Sequence, residues 1–200
     1  MNLLILGGFL GSGKTTVLLQ LAKYITGDDV KPGETKVAII ENEIGEQSID
    51  DKILKSGNYS VENLFAGCAC CTLSGSVPVY VSKIQKELNP EWLIFESTGV
   101  GYPASIQRTI KEVLDVDSRI CIIVDAKRWL RIEKPMEQLL SGQFENADVV
   151  LINKKDLVDR EILEKVTQSV AAHVPDVKLI PISAVEPVSE TVWEEVLGQK

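Results

Sequence analysis

Four short constellations in this chain have the residue types and the spacing to do chemistry. The first is Gly8-Phe9-Leu10-Gly11-Ser12-Gly13-Lys14-Thr15, which fits G-x-x-x-x-G-K-[ST]. Glycines at Gly8, Gly11 and Gly13 let backbone N–H groups turn inward around an anion. A helix opening at Lys14 would add its positive dipole end. Lys14 is then placed to reach the β- and γ-phosphates of a nucleotide, and the Thr15 hydroxyl to ligate Mg²⁺, with Ser12 and Thr16 beside them. The second is Asn153-Lys154-Lys155-Asp156, directly after the apolar Leu151-Ile152. The Asp156 carboxylate can accept from guanine N1–H and N2–H₂ together, a donor pair that adenine lacks. Asn153 and the Lys154 stem would frame the ring, and Ser183-Ala184 would offer a backbone N–H to guanine O6.

The third is Glu96-Ser97-Thr98-Gly99, an acid and a glycine ending the apolar run Leu93-Ile94-Phe95. A carboxylate there can hold the Mg²⁺ shell through water. Gly99 lets its N–H face a γ-phosphate and swing when that phosphate leaves. Val100 follows where a water-orienting glutamine would stand, so slow intrinsic hydrolysis is expected. The fourth is Gly67-Cys68-Ala69-Cys70-Cys71. Zn²⁺ and Cu(I) favour thiolates, and a tetrahedral site takes four ligands. With three cysteines close in sequence, the fourth ligand would be a water, a carboxylate such as Glu43 or Glu46, His173 or another molecule. An incomplete set suits transfer rather than storage. Packing of small buried residues and thiol exchange are the competing readings. His173, before Val174-Pro175, reads as a cation at a helix C-terminus rather than as a ligand. Cys121 reads as core, and Trp92, Trp129 and Trp193 as separate packing residues.

The elements that must position these groups alternate. Apolar runs at Asn2–Leu6, Lys36–Ile40, Trp92–Phe95, Ile120–Val124, Val149–Ile152 and Val177–Ile182 read as strands. Helical spacing marks Thr15–Tyr24, Val77–Leu88, Pro103–Leu114, Arg160–His173 and Ser189–Leu197. Strands that are apolar throughout suit a parallel sheet covered on both faces, so the class is α/β with a mostly parallel sheet flanked by helices. Asp28–Thr35 reads as a loop, and Asn42–Phe65 fits neither period and reads as a long functional loop. At 200 residues the expectation is one domain over positions 1–200. A net charge of -8 argues against a nucleic-acid partner. No run approaches the ~20 apolar residues of a membrane span, and no secretory signal follows Met1, so a cytoplasmic location is expected.

Taken together, these motifs resemble the CobW-type P-loop GTPases, a class that includes UreG and HypB. The run Gly7 to Thr16 is similar to their phosphate loop. Asn42-Glu43-Ile44-Gly45-Glu46 looks like their switch segment, with Ile44 where phenylalanine is usual. Gly67-Cys68-Ala69-Cys70-Cys71 resembles their G-C-x-C-C metal motif, and Glu96-Ser97-Thr98-Gly99 and Asn153-Lys154-Lys155-Asp156 their Mg²⁺ and guanine motifs. The resemblance implies a P-loop fold of the SIMIBI type and a GTP-hydrolysing metallochaperone or metal insertase. Lys14 and Glu96 would act in catalysis, and Cys68, Cys70 and Cys71 would bind Zn²⁺ or Co²⁺ with Glu43 between metal and nucleotide. The partners it implies are a client metalloprotein or corrinoid-pathway protein and a second copy in a GTP-dependent dimer. The chain departs from the pattern in three ways. It is expected to be the GTPase domain alone, ending at Lys200 without the further C-terminal domain such proteins usually carry; it has no His-rich tract, and Thr72–Ser76 lacks an acidic position. Two other readings stay open: a nucleotide-dependent switch or metal sensor with negligible turnover, and a kinase or ATPase, which the guanine motif opposes.

Overall fold

Among the described residues seven strands form one sheet, and every neighbouring pair in it is parallel. The computed structural model describes residues 1–27, 35–41, 60–63 and 73–199, with the backbone alone at 60–63 and 73–76. The strands are β1 (Asn2–Gly7), β2 (Val37–Glu41), β3 (Ser60–Asn63), β4 (Trp92–Glu96), β5 (Ser118–Asp125), β6 (Val149–Asn153) and β7 (Lys178–Pro181). Their spatial order is β3-β2-β4-β1-β5-β6-β7. The helices are α1 (Lys14–Thr26), α2 (Leu73–Glu87), α3 (Pro103–Leu114), α4 (Trp129–Ile132), α5 (Glu137–Phe144), α6 (Arg160–His173) and α7 (Glu190–Leu197).

The period of two along each strand divides the core. Leu3 and Ile5 of β1 face one side with Leu93, Phe95, Ile120 and Ile122. Leu4 and Leu6 face the other with Val17, Leu18 and Leu21 of α1 and Trp193 of α7. Both sides are dry, which explains why the strands carry no polar alternation. Cys121 belongs to the α1 side, fully buried, and that burial pushes its thiol up to about 12. Among the described residues no helix is long and apolar enough to cross a membrane.

Four elements differ from the sequence reading. Within the span read as irregular, Ser60–Asn63 is an edge strand whose register on β2 is set by backbone pairing, Ala38 to Ser60 and Glu41 to Asn63. Helix α2 begins at Leu73 rather than Val77 and holds Pro78 inside it, so the Ser74 carbonyl receives no donor from the residue four ahead. Helices α4 and α5 are short and follow β5, where the sequence shows no clear period. The loop read at Asp28–Thr35 lies, but for its last residue, outside the described residues.

Those two short helices create a cluster that joins Trp129, read above as a separate packing residue, to His173, read as a cation at a helix end. The Trp129 ring meets Phe144 edge-on at 5.7 Å and His173 at 5.6 Å, and Phe144 stacks on His173 at 5.9 Å. Trp129 Nε1 donates to Ser169 Oγ at 2.7 Å, Ser169 Oγ donates to Glu133 Oε1 at 2.6 Å, and His173 Nε2 lies 3.2 Å from the same oxygen. This anchors α4 and α5 to α6, and it positions the loop after β5 used below. Trp129→Ala removes the ring at the centre and is expected to cost about 3–5 kcal/mol. For a chain of this length that lowers the melting temperature by roughly 10 °C. Circular dichroism melts check it, and a shift under about 2 °C would refute the assignment.

Candidate functional site

β1 lies beside β5 in the sheet, and the chain leaving β1 runs to β2 on one flank while the chain leaving β5 runs to β6 on the other. That divergence opens a crevice, the place where ligands bind in doubly wound sheets. The chain leaving β1 there is the glycine-rich loop. Gly8 has φ +135°, and a Cβ on it would stand 2.2 Å from the Ile123 carbonyl oxygen of β5. Only glycine lets the loop lie this close to the sheet. The loop closes on itself through Ser12 N–H to Phe9 O at 3.1 Å, and α1 starts at Lys14. Lys14, only 7 % exposed, crosses the loop and donates from Nζ to Gly8 O at 3.0 Å.

Three successive carbonyls of the loop are held by side chains from other elements. Leu10 O accepts from Arg128 Nη1 at 2.7 Å, Gly11 O from Lys154 Nζ at 2.6 Å, and Ser12 O from Asn153 Nδ2 at 2.9 Å. A trans peptide points its N–H opposite to its C=O. The N–H groups of Gly11, Ser12 and Gly13 are therefore oriented away from these side chains.

The next strand ends complete the edge. Thr15 Oγ1 donates to the Glu96 carboxylate, 3.2 Å from Oε1 and 3.4 Å from Oε2. A hydroxyl and a largely buried carboxylate beside a phosphate loop form a hard oxygen set, which fits Mg²⁺. Glu41, 3 % exposed, ends β2 in register with Glu96. Gly99 packs on the loop: a Cβ there would lie 2.6 Å from Leu10 N. Its carbonyl accepts from buried Gln143 Nε2 at 3.0 Å.

On the other flank Asn153 is a three-way tie. Besides Ser12 O, its Oδ1 accepts from Ala184 N at 2.9 Å and from Lys154 N at 2.8 Å. In this arrangement the Ala184 N–H is engaged by Asn153. Lys154 Nζ also pairs with Asp125 Oδ2 at 2.7 Å. Asp156 is exposed and accepts from Ser183 Oγ at 2.7 Å. The fold thus brings Gly8, Gly11, Ser12, Gly13, Lys14, Thr15, Thr16, Glu96, Gly99, Asn153, Lys154, Asp156, Ser183 and Ala184 to one edge of the sheet.

Glu43, Cys68, Cys70 and Cys71 lie outside the described residues. Among the described residues no group of three or more His, Cys, Asp or Glu could hold a metal ion. Sequence reasoning missed Glu41, Asp125, Arg128 and Gln143. Glu41 and Asp125 each end an apolar strand with an acid, the same signal that singles out Glu96. Arg128 and Gln143 carry no local signal.

Three comparisons bear on this geometry. The family model of the CobW/HypB/UreG nucleotide-binding domain matches residues 2–181. The chain is 28% identical over 230 residues to the zinc-regulated GTPase metalloprotein activator 1 of Dictyostelium discoideum, covering 93% of this chain and 46% of that protein. It is 30% identical over 165 residues to the zinc chaperone YjiA of Escherichia coli K12, covering 76% of this chain and 49% of that one. It therefore spans about half the length of these curated relatives. Among solved structures, HypB from Helicobacter pylori in complex with nickel superposes with a TM-score of 0.64 at 19% identity, covering 99% of this chain and 84% of that one. Zn(II)-bound YjiA from E. coli gives 0.63 at 20%, covering 100% and 63%. At such identities the likeness concerns the fold alone.

Proposed function

This chain belongs to the family of CobW/HypB/UreG nucleotide-binding domains, and we propose that it is a Mg²⁺-dependent GTPase that loads a transition metal at Cys68, Cys70 and Cys71 and hands it to a client metalloprotein. Asp156 selects guanine, and Asn153 and Lys154 hold the floor of the base site against the phosphate loop. Lys14 and the loop N–H groups neutralise the phosphate charge that grows toward the transition state. Thr15 and Glu96 are the residues that would hold Mg²⁺, which when bound supplies Lewis-acid charge at the phosphates. Thiolates suit zinc, and the Dictyostelium and E. coli relatives are named for zinc, so zinc is the metal of this reading and cobalt its competitor.

One observation carries the coupling. β2 and β3 end in register, Glu41 opposite Asn63, and Glu41 is also opposite Glu96. The segment that follows Glu41 contains Glu43, and the segment that follows Asn63 contains the three cysteines. Both segments are therefore attached at neighbouring strand ends beside the Thr15–Glu96 pair. This supports a short path between γ-phosphate and metal, running through Glu43. Reciprocity then requires that metal shift nucleotide affinity as nucleotide shifts metal affinity.

The test is a titration of the reduced protein with Zn²⁺ and with Co²⁺, once with GDP and once with a non-hydrolysable GTP analogue and Mg²⁺. Metal affinity is expected to differ between the two states by about tenfold or more. Equal affinity in both states would reduce the chain to a GTP switch whose cysteines serve structure or redox exchange.

A further inference from the structure

Arg128 binds the phosphate loop and, among the described residues, belongs to none of the four motifs. It precedes α4, and its backbone N–H is fixed by Asp125 Oδ1 at 3.1 Å. From that anchor the guanidinium reaches over the loop. Nη1 donates to Leu10 O at 2.7 Å, and the guanidinium carbon stands 5.6 Å above the centre of the Phe9 ring. The same Nη1 lies 3.1 Å from the place a Cβ on Gly11 would occupy, a tight contact that the bare Cα of Gly11, at φ +75°, avoids. Arg128 thus holds Phe9 and Leu10, directly before the Gly11 and Ser12 carbonyls that Lys154 and Asn153 tie.

We propose that Arg128 is a positioning residue that fixes the Leu10–Gly11 peptide, and so aims the Gly11 N–H at the nucleotide's β-phosphate. Because the peptide is planar and trans, an outward bond on the Leu10 carbonyl dictates the direction of the Gly11 N–H. In loops of this kind backbone N–H groups cradle the inner phosphates. Asp125 makes the device cooperative, since its two oxygens anchor Arg128 and Lys154, which hold adjacent carbonyls. The guanidinium fork suits this task better than an ammonium would, because it can stack on Phe9 and donate in plane at once.

The inference rests on the nucleotide reading, and its test separates the two. Wild type, Arg128→Ala and Arg128→Lys are titrated with GDP and with a non-hydrolysable GTP analogue, and the Gly11 amide is followed by ¹⁵N NMR with and without nucleotide. Arg128→Ala is expected to weaken both nucleotides by the same factor, about tenfold. It also moves the Gly11 resonance in the nucleotide-free protein. Arg128→Lys recovers part of the loss, and added methylguanidine restores Arg128→Ala. Arg128 is exposed and lies in a loop, so melting curves are expected to match wild type. Wild-type affinity in Arg128→Ala overturns the inference. So does a loss confined to the GTP analogue, which would assign Arg128 to the third phosphate directly. A wild type that binds neither nucleotide while its Gly11 resonance still answers to Arg128 sinks the GTPase reading and leaves the peptide contact standing.

Discussion

Lys14→Ala is expected to abolish guanine-nucleotide binding at working concentrations and to leave the chain folded. The Lys14 ammonium, largely shielded from water, stretches across the loop to Gly8 O, where on the proposed reading it meets the β- and γ-phosphates. Charge-assisted bonds of this type contribute roughly 1.5–3 kcal/mol each, and two phosphates engage the same ammonium, so a loss of at least a hundredfold follows. The fold survives because alanine is the best helix former at the first position of α1. The apolar anchors of that helix, Val17, Leu18 and Leu21, are also untouched. Titration with a fluorescent GDP, paired with a melting curve, measures both halves. Affinity within about threefold of wild type in a folded Lys14→Ala protein would remove the loop from phosphate binding altogether.

The second large effect concerns which base is accepted. In Asp156→Asn the carboxylate becomes an amide that donates through nitrogen and accepts through oxygen. Guanine presents two donors to this edge, so one is left facing another donor. Xanthine carries a carbonyl in place of the 2-amino group and matches the amide. GTP affinity is expected to fall roughly 10²- to 10³-fold while XTP gains. The carboxylate is exposed before a base covers it, and Ser183 holds one of its oxygens, which places the effect at the lower end of such discriminations. Competition among GTP, ATP and XTP against one labelled nucleotide is the measurement. An unchanged GTP-to-ATP preference in Asp156→Asn would return the chain to the ATPase or kinase reading.

The parts of this protein legible in the sequence are those whose physics is local. The phosphate loop announces itself because its glycines, lysine and threonine must be consecutive along one turn. The core strands do so because both faces are covered, which demands unbroken apolar runs. β3 is the opposite case. Ser60-Val61-Glu62-Asn63 has no apolar run, and its pairing is supplied by the backbone of β2, a partner about twenty residues away. α4 and α5 are four and eight residues long and take their stability from Trp129 packing on Phe144 and on His173 of α6, so no period within them could reveal them. Arg128 and Gln143 escape for the same reason. Each acts on a backbone carbonyl, at Leu10 and Gly99, and a carbonyl leaves no mark on residue type. Asp125 and Glu41 were within reach, since an acid ending an apolar strand is visible in the sequence.

Cys121 has a consequence for thiol chemistry. The chain has four cysteines, and this one is sealed in the α1 face of the sheet with its proton held up to about 12. At neutral pH it offers neither a thiolate to an alkylating reagent nor a lone pair to a soft ion. Any sulfur-to-metal charge-transfer band, and any fast alkylation of the folded protein, therefore originates in Cys68, Cys70 or Cys71 by elimination. The wild-type chain carries its own silent control, and no cysteine need be mutated to read that trio.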